Sequence, residues 1–384
     1  MKICQVILLT CGLVTLTATD RAQQNDPVVR LMKELTDAPG PSGFEGPVRK
    51  IFEREMRQAG AEVSTDGLGS VIARVPGSIE RPRIMVDAHL DELGLVVRTI
   101  APDGFVRFQT LGGWLDAALI NQRWTIETEK GPVAAVSGMQ DAHIAGKEEV
   151  EAALHRKNMF LDVGARSRAE AEALGIRPGD PIAPASPFTV LAHQRYAAKA
   201  WDDRIGLVIM IEALKQMRSA GMHLPNAVTF AGTVEEEIGL RGAMTASRLI
   251  QPDLGIALEV GIAADYPGTD AWQAEEKLGS GPAIFLYDAS LLPNLKLRDF
   301  FFKVAGEENI PLQTDLVVDY GEDAAMMQRY ASGTPAINFV VPTRYTHTHT
   351  GVIDRADFDE AVKLLVAVLG RLDAGTVRGI ASFE

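Results

Sequence analysis

The chain has very little cysteine. Its 384 residues include two, Cys4 and Cys11, and both lie close to the first residue. Beyond them no thiol is available, so disulfides and thiolate metal ligands are excluded from the rest of the chain. Any metal bound there must be held by histidine, aspartate and glutamate.

The chain also lacks any run of lysine or arginine, and its formal net charge is −13. Binding to a nucleic-acid backbone requires a basic stripe, so nucleic acid is excluded as a partner. An acidic surface weakly favours substrates with a free amine, although a net negative charge commonly reflects solubility alone.

Long apolar runs are scarce, and the clearest one lies at the start of the chain. Lys2 precedes an apolar stretch from Ile3 to Leu16, and small and polar residues follow. This layout predicts a signal peptide over residues 1–22 and a periplasmic or secreted protein. The alternatives are an uncleaved anchor or a mis-assigned start, and a leader without function would leave the protein cytoplasmic.

Elsewhere, hydrophobic periodicity predicts an α/β fold, with a mostly parallel sheet and helices on both faces. The predicted helices and strands alternate along the chain. The helices are Pro27–Asp37, Glu45–Gly60, Asp202–Met217 and Asp357–Leu372, the last with an Asp357…Glu360 capping pair. The strands are Val71–Val75, an interrupted run over Arg83–Val97, Ala227–Thr233, Gly255–Val260 and Pro335–Val341.

Between Phe105 and Thr189 the pattern changes to short alternating runs separated by glycine and proline, with one short helix near Arg168–Leu174. Such a pattern predicts a small β-rich domain inserted into the larger one. The predicted organisation is a catalytic domain in two parts, residues 27–103 and 193–384, with an inserted domain over residues 104–192.

Histidine and carboxylate motifs follow the predicted strands at the points where those strands end. They are His89-Leu90-Asp91-Glu92, Asp202-Asp203, Glu235-Glu236-Glu237, Glu259 and His347. In a parallel sheet these strand ends lie along one edge, where ligand sites form. Two imidazoles and several carboxylates suit a pair of zinc-like cations that activates a water for hydrolysis.

Each motif also has a simpler explanation when it is taken alone. A histidine in an apolar strand is commonly a core residue, and loop histidines such as His347 and His349 commonly have no role. Asp202-Asp203 can cap the helix that they open. The three glutamates can interact favourably with the dipole of a helix that follows them. Adjacent carboxylates also allow one residue to bind a metal ion while its neighbour takes the proton from the metal-bound water.

Taken together and in order, the motifs resemble those of a known family, the tetrahedral dinuclear-metal aminopeptidases related to glutamyl and deblocking aminopeptidases. The resemblance runs from about Leu31 to Leu372. It is carried by Asp87–Gly94, Trp201–Gly206, Glu236–Ala243 and Arg344–His347, with Leu111–Trp114 and Phe160–Ala165 as landmarks of the inserted domain.

The resemblance implies a role for each matching residue. His89 and Glu259 would hold one metal, His347 and Glu237 the other, and Asp202 would bridge them. Glu236 would be the general base, and Asp91 would orient His89. The family's fold is an α/β catalytic domain with an inserted β-barrel-like dimerisation domain, commonly assembled into twelve-subunit tetrahedral particles.

Three features depart from the family pattern. Aspartate usually stands where this chain has Glu259, which is one methylene longer. His349 offers a second imidazole two residues after His347. Relatives are mostly cytoplasmic, which makes the predicted leader unusual.

The sequence thus predicts an aminopeptidase with two divalent ions per subunit, zinc or else cobalt or manganese, acting on peptides as a homo-oligomer that is a dimer or a dodecamer. The nearest alternative is a deacylase or carboxypeptidase on the same two-metal site. A glycosidase fits less well, because adjacent glutamates do not flank a sugar ring. A non-catalytic peptide-binding relative is disfavoured because every ligand type is present.

Overall fold

The computed structural model describes residues 26–148, 154–270, 272–273 and 275–384. The predicted signal peptide over residues 1–22 and both cysteines lie outside these ranges. Within them, no helix combines the length and the apolar character that crossing a membrane requires.

Among the described residues, the strands form an eight-stranded sheet, a closed six-stranded barrel and a three-stranded sheet. Numbered along the chain, they are β1 (Glu62–Thr65), β2 (Val71–Val75), β3 (Ile79–His89), β4 (Gly94–Ile100), β5 (Val106–Leu111), β6 (Arg123–Thr128), β7 (Gly131–Gly138), β8 (Phe160–Asp162), β9 (Pro181–Pro184), β10 (Thr189–Val190), β11 (Arg195–Ala198), β12 (Asn226–Thr233), β13 (Leu254–Ile262), β14 (Ala283–Tyr287), β15 (Gln313–Leu316), β16 (Ala336–Thr343) and β17 (Gly351–Asp354).

The helices of the same ranges lie mainly between strands of the large sheet. They are α1 (Pro27–Asp37), α2 (Gly46–Gln58), α3 (Ala142–Ala145), α4 (Arg168–Ala173), α5 (Trp201–Ser219), α6 (Arg241–Ile250), α7 (Leu295–Glu308), α8 (Ala324–Gln328), α9 (Arg355–Arg371) and α10 (Ala374–Ala381). Single 3-10 turns are found at Asp116–Ala118, Arg156–Asn158 and Ala192–Gln194.

Helix α1 has the bounds that the sequence predicts. The Asp26 carboxylate accepts a hydrogen bond from the backbone N–H of Val28, and Pro27 occupies the first turn, where its missing N–H costs nothing. Helix α9 corrects a prediction, because it begins at Arg355 and is capped by Asp354, not by Asp357. Asp357 is fully buried and accepts backbone hydrogen bonds from Gly279 and Gly281.

The large sheet has the order β1-β2-β12-β3-β13-β16-β14-β15. Its four central strands, β12, β3, β13 and β16, run parallel, while β2 and β14 join them antiparallel on either side. The predicted α/β class with a mostly parallel sheet is confirmed. The antiparallel pairs lie outside the part of the sheet that carries the site.

Neighbouring residues on the central strands face opposite sides of the sheet, as the period of a strand requires. On one side, Val86 and Ile256 join the core cluster that includes α5 and α9. On the other side, Met85 and Ala257 pack with residues of α6 and α8. Both faces of the sheet are therefore covered by helices. Because successive residues of a central strand are buried on alternate faces, the strand sequences are continuously apolar.

The barrel closes in the order β4-β5-β8-β7-β6-β9 and has a core of its own. Trp124, Ile126 and Leu161 are among its fully buried side chains. The insertion of a β-rich domain into the α/β domain is therefore present in the structure, whereas its role in dimerisation stays a prediction.

The predicted borders of the inserted domain, residues 104 and 192, need correction at both ends. Strand β4 begins at Gly94 and pairs with β5 and β9, so it belongs to the barrel and is no continuation of β3. Strand β10 pairs with β11, which pairs with β17, so residues from Thr189 onward belong to the α/β domain. The run over Arg83–Val97 is interrupted by polar residues around His89, but the sequence alone does not show that this interruption separates two domains.

Candidate metal centre

The four parallel strands bring the predicted ligands to one edge of the sheet. His89 is the last residue of β3, Glu237 lies shortly after β12, Glu259 lies near the end of β13, and His347 lies shortly after β16. These strands are neighbours in the sheet, so their carboxyl ends lie side by side. The sequence separates these residues widely, and the topology brings them together.

Asp202 reaches the same place from the start of α5. Its backbone is not helical, with φ −76° and ψ 104°, and neither is that of Asp203. Asp203 takes the local structural role, since its carboxylate accepts hydrogen bonds from the backbone N–H groups of Gly206 and His89. The carboxylate of Asp202 is left to face the two histidines.

Asp202 offers one oxygen to each histidine. Its Oδ1 lies 2.9 Å from Nε2 of His89, and its Oδ2 lies 3.4 Å from Nε2 of His347. His89 Nε2 is also 3.8 Å from Oε2 of Glu259, and His347 Nε2 is 3.9 Å from Oε2 of Glu237. The five side chains thus form two donor groups that share Asp202.

The electrostatics of the site show an excess of buried negative charge. Burial raises the pKa of Glu237 to about 8, and the charge of Asp202 adds to the effect. Burial and neighbouring carboxylates likewise raise the pKa of Glu236 and Glu259. Burial also opposes the ionised form of Asp202, but hydrogen bonds from His347 and His89 hold its pKa below the ordinary range.

The donor set fits a pair of divalent cations. Imidazole nitrogens and carboxylate oxygens are the ligands that zinc and similar ions take when no thiolate is present. Oε1 of Glu237 and Oε1 of Glu259 are buried and have no hydrogen-bond partner, a costly state for a carboxylate that a cation would relieve. The assignment of these residues as ligands stays a prediction that the geometry allows.

Asp91 connects the two halves of the site. Its Oδ1 accepts a hydrogen bond from the backbone N–H of Glu236 at 3.0 Å and lies 3.5 Å from Nδ1 of His89. Its Oδ2 accepts hydrogen bonds from Ser42 Oγ at 2.7 Å and from the backbone N–H of Glu237 at 3.2 Å. Asp91 is fully buried, so it can fix both the ring of His89 and the loop that carries the glutamates.

The two neighbouring histidines of the last motif have different surroundings. His347 faces Asp202 and Glu237. His349 is buried against the rings of Trp124 and Trp114, with centroid distances of 4.5 and 5.9 Å, and burial lowers its pKa to about 4. Of the two imidazoles, the structure brings only His347 into a donor group.

The sequence analysis missed one acidic residue of the site, Glu322. This side chain is buried, and one of its oxygens lies within 4.8 Å of oxygens of Glu236 and Glu259. Glu322 and Asp323 stand between β15 and α8, the same arrangement of adjacent acids between a strand and a helix that marked Glu236 and Glu237. That pattern is the signal that could have found it.

Residues 69–364 match the family described as M42 glutamyl aminopeptidase. The chain belongs to the M42 family. Residues 26–52 match a second, shorter description, AMPT. The M42 match spans the barrel, the central strands and every predicted ligand, so it covers the whole site.

Individual relatives are similar over almost their full length. A lysyl aminopeptidase of Pyrococcus furiosus is 37% identical, with 89% of this chain and 96% of the relative covered. The crystal structure of a TET aminopeptidase from a marine sediment archaeon, Thaumarchaeota archaeon SCGC AB-539-E09, is 39% identical, covers 93% of this chain and 99% of that one, and has a TM-score of 0.91.

A third relative is the TET1 peptidase of Pyrococcus horikoshii, which can assemble into a tetrahedron or a large octahedral shell. It is 29% identical, with 90% of this chain and 100% of that chain covered, and the TM-score is 0.81. The predicted resemblance to tetrahedral aminopeptidases is therefore confirmed.

Membership of the M42 family makes this protein a metal-dependent aminopeptidase, a hydrolase of peptide bonds. M42 aminopeptidases use divalent metals, and the acidic and histidine groups described above could bind them. The predicted reaction class is confirmed, in preference to the deacylase and carboxypeptidase alternatives.

Proposed function

We propose that this M42 aminopeptidase releases N-terminal residues from peptides at a site that holds two divalent cations, zinc in the first instance and cobalt or manganese as alternatives. The observation that carries the proposal is the position of Asp202, with one oxygen beside His89 and the other beside His347. A carboxylate placed in this way suits a bridging ligand. His89 with Glu259, and His347 with Glu237, would complete the two sites.

When bound, the two cations would lower the pKa of a water molecule and polarise the scissile carbonyl group. The other catalytic duties fall to side chains of the protein. Glu236 Oε2 lies 4.0 Å from Nε2 of His89, and Glu236 lines the same cleft of about 310 Å³ as Asp202 and His347. It can therefore reach a water bound between the two histidines.

Glu236 acts as the general base and then as the general acid. It takes a proton from the attacking water while the water oxygen bonds to the carbonyl carbon. It then gives that proton to the leaving nitrogen as the C–N bond breaks, so that a free amino acid and a shortened peptide result. Burial raises the pKa of Glu236 above its ordinary value, which makes its carboxylate a stronger base.

Asp91 is a positioning residue in this proposal. By accepting the backbone N–H groups of Glu236 and Glu237, it fixes the base and a ligand relative to each other. The backbone carbonyl oxygen of Asp91 accepts a hydrogen bond from Nδ1 of His89 at 3.1 Å, and the carboxylate lies 3.5 Å from the same nitrogen. Together they hold the ring in the orientation in which Nε2 faces Asp202.

We extend the proposal to assembly and location. TET relatives form large oligomers, and we propose that this chain assembles through its barrel as a dimer or as a dodecamer built from dimers. We also keep the proposal of a periplasmic or secreted location, which rests on the pattern of residues 1–22 alone.

Substitution of Glu236 by glutamine tests the proposed function. Glu236→Gln keeps the shape of the side chain but removes the base, so hydrolysis of aminoacyl anilides should fall by a factor of about a hundred or more, with two cations still bound. The matched control is Glu235→Gln. Glu235 is the preceding carboxylate, pairs with Arg241 at 2.8 Å and does not line the cleft, so this variant should keep its activity.

The reaction class is tested with blocked substrates. Activity on free aminoacyl anilides but not on their N-acetyl forms is expected of an aminopeptidase. Near-normal turnover by Glu236→Gln would contradict the assigned role, and hydrolysis of N-acetyl substrates at an equal rate would contradict the proposed reaction.

A further inference from the structure

The loop that carries His347 follows β16 and lies outside the large sheet. It spans residues 344–350, and two backbone hydrogen bonds between Arg344 and Val352, at 3.0 and 3.1 Å, close its base. Tyr345 and His347 have φ values of 63° and 56°, in the left-handed region that residues other than glycine rarely adopt. Such conformations persist where surrounding contacts hold them, so the orientation of His347 depends on what its loop touches.

The first donor group is held in a different way. Glu259 lies within β13, where its register partner on β16 is Val340, and the strand continues to Ile262. His89 ends β3 and is still in register with Thr233 of β12. The sheet itself therefore fixes these two proposed ligands.

An ion pair lies at the base of the loop that carries His347. Arg344 Nε donates a hydrogen bond to Oδ1 of Asp265 at 2.6 Å, and its Nη2 donates to Oδ2 at 2.7 Å. The same Nη2 lies 3.3 Å from the backbone carbonyl oxygen of Asp265. The two side chains are each 18% exposed. Because the guanidinium group bonds both carboxylate oxygens, the pair fixes direction as well as distance.

A ring contact joins the same two loops beside the ion pair. Tyr266 and Tyr345 have ring centroids 5.4 Å apart. The loop of residues 263–270, which follows β13, is braced from within, since the hydroxyl group of Thr269 donates to the backbone carbonyl oxygen of Tyr266 at 2.8 Å. It therefore offers a firm surface against which the loop of His347 is held.

We propose that Arg344 and Asp265 are positioning residues for one of the two cations, the one assigned to His347 and Glu237, and that the other cation does not depend on them. This inference rests on the proposed function, since it requires two occupied sites. Neither residue of the pair lines the cleft, so the pair acts through the loop and not by touching substrate or cation. The two sites are therefore unequal, because strands build one and a link between two loops supports the other.

Asp265→Asn tests the proposal, because asparagine keeps the shape of the side chain but loses the charge and one acceptor oxygen. Zinc-loaded protein is dialysed against buffers of falling free-zinc concentration, and the zinc content per subunit is measured. Each of the two sites should give its own midpoint, the free-zinc concentration at which it is half empty. One midpoint should rise about tenfold in Asp265→Asn, the lower end of the effect of losing a group that orients a ligand, and the other should stay.

Substitutions of the proposed ligands assign the two midpoints. Glu237→Gln should shift the same midpoint as Asp265→Asn, because both changes act on the site that includes His347. Glu259→Gln should shift the other one. Arg344→Lys is a milder change to the ion pair, since lysine keeps the charge but lacks the planar fork, and it should give a smaller shift of the same midpoint.

Two controls separate positioning from a general loss of stability. Asp265→Glu keeps a carboxylate that can bond both guanidinium nitrogens, so it should retain the second cation nearly as well as the wild-type protein. Asp359→Asn removes the carboxylate that accepts a hydrogen bond from Arg355 Nε at 2.8 Å on α9, away from the cleft. This variant should leave both midpoints unchanged.

The same measurement keeps this inference apart from the proposed function. A wild-type protein that retains only one zinc ion per subunit would overturn the two-cation function, and the inference with it. Two zinc ions in the wild-type protein, with both midpoints unchanged or equally shifted in Asp265→Asn and Arg344→Lys, would overturn the inference alone.

Discussion

Nδ1 of His347 lies 3.0 Å from the backbone carbonyl oxygen of Gly113, which belongs to a loop of the barrel. This contact holds the tautomer in which Nδ1 carries the proton and Nε2 is free to face Asp202 and Glu237. A proposed metal ligand supplied by the α/β domain is thus oriented by the inserted domain. The barrel therefore contributes to the candidate site, because its loop after β5 sets the orientation of the His347 ring.

The approach of this loop depends on the absence of a side chain at Gly112. A Cβ atom there would lie 2.2 Å from Cδ2 of Leu93 and 3.2 Å from Oε2 of Glu237. We expect Gly112→Ala to displace the loop or the ligand, and so to lower both metal content and kcat/KM. Metal analysis of the purified protein and anilide hydrolysis measure the two effects.

Gly164→Ala is the matched control for that substitution. Gly164 lies in the barrel with a φ of 75°, close to the 84° of Gly112, and a Cβ atom there would meet nothing within 4 Å. Both variants carry the cost of a left-handed alanine, about 1 kcal/mol of stability. If the two variants lost activity equally, steric contact at the site would not be the cause.

The second prediction concerns Asp91, which holds the predicted metal ligands in position. Asp91→Asn replaces one carboxylate oxygen by an amino group, which cannot accept a hydrogen bond from Glu236 or Glu237. We expect metal affinity to fall by roughly tenfold to a hundredfold, the usual effect of losing a partner behind a ligand. Competition with a chromophoric chelator measures the affinity.

Ser42→Ala provides the comparison for Asp91, because it removes one of the hydrogen bonds to that carboxylate and leaves the backbone contacts in place. Its loss of affinity should be the smaller of the two. A wild-type affinity in Asp91→Asn would show that the carboxylate does not orient the centre.

The third prediction concerns stability without metal. In the absence of cations the pKa of Glu237 is raised from 4.5 to about 8, because the side chain is buried next to Asp202. The folded state then binds this proton more tightly than the unfolded state, so folding stability falls as the pH rises between these two values. His347, with a pKa raised to about 10, contributes in the same direction above its ordinary value of 6.5.

Denaturant unfolding of chelator-treated protein at about pH 5 and about pH 8 measures this trend. The metal-free protein should be less stable at the higher pH, and Glu237→Gln should reduce the difference. Reloading with zinc should remove most of it, because cations compensate for the repulsion. A metal-free protein with equal stability at both values would contradict the prediction.

Much of the site could be predicted because its residues carry local signals. His89, Glu237 and His347 stand at or shortly after the end of an apolar strand, and Glu259 stands near the end of one. A parallel sheet gathers such ends along one edge without further information. Glu322 followed the same rule but was overlooked, since its strand, β15, is short and half exposed and does not read as an apolar run.

Other features could not be predicted because they depend on partners distant in the chain. Asp357 has the position of a helix cap in the sequence, but its carboxylate instead accepts hydrogen bonds from Gly279 and Gly281, more than seventy residues away. The border at Gly94 is set by pairing of β4 with β5 and β9, and the polar residues around His89 do not reveal those partners.

The spread of the donor residues along the chain has a consequence for biosynthesis. His89 lies in the first third of the sequence, whereas His347 follows the last strand of the large sheet. A polypeptide still emerging from the ribosome lacks the second imidazole until almost all of it has been translated. The two predicted metal sites can therefore be completed only when synthesis of the chain is nearly finished.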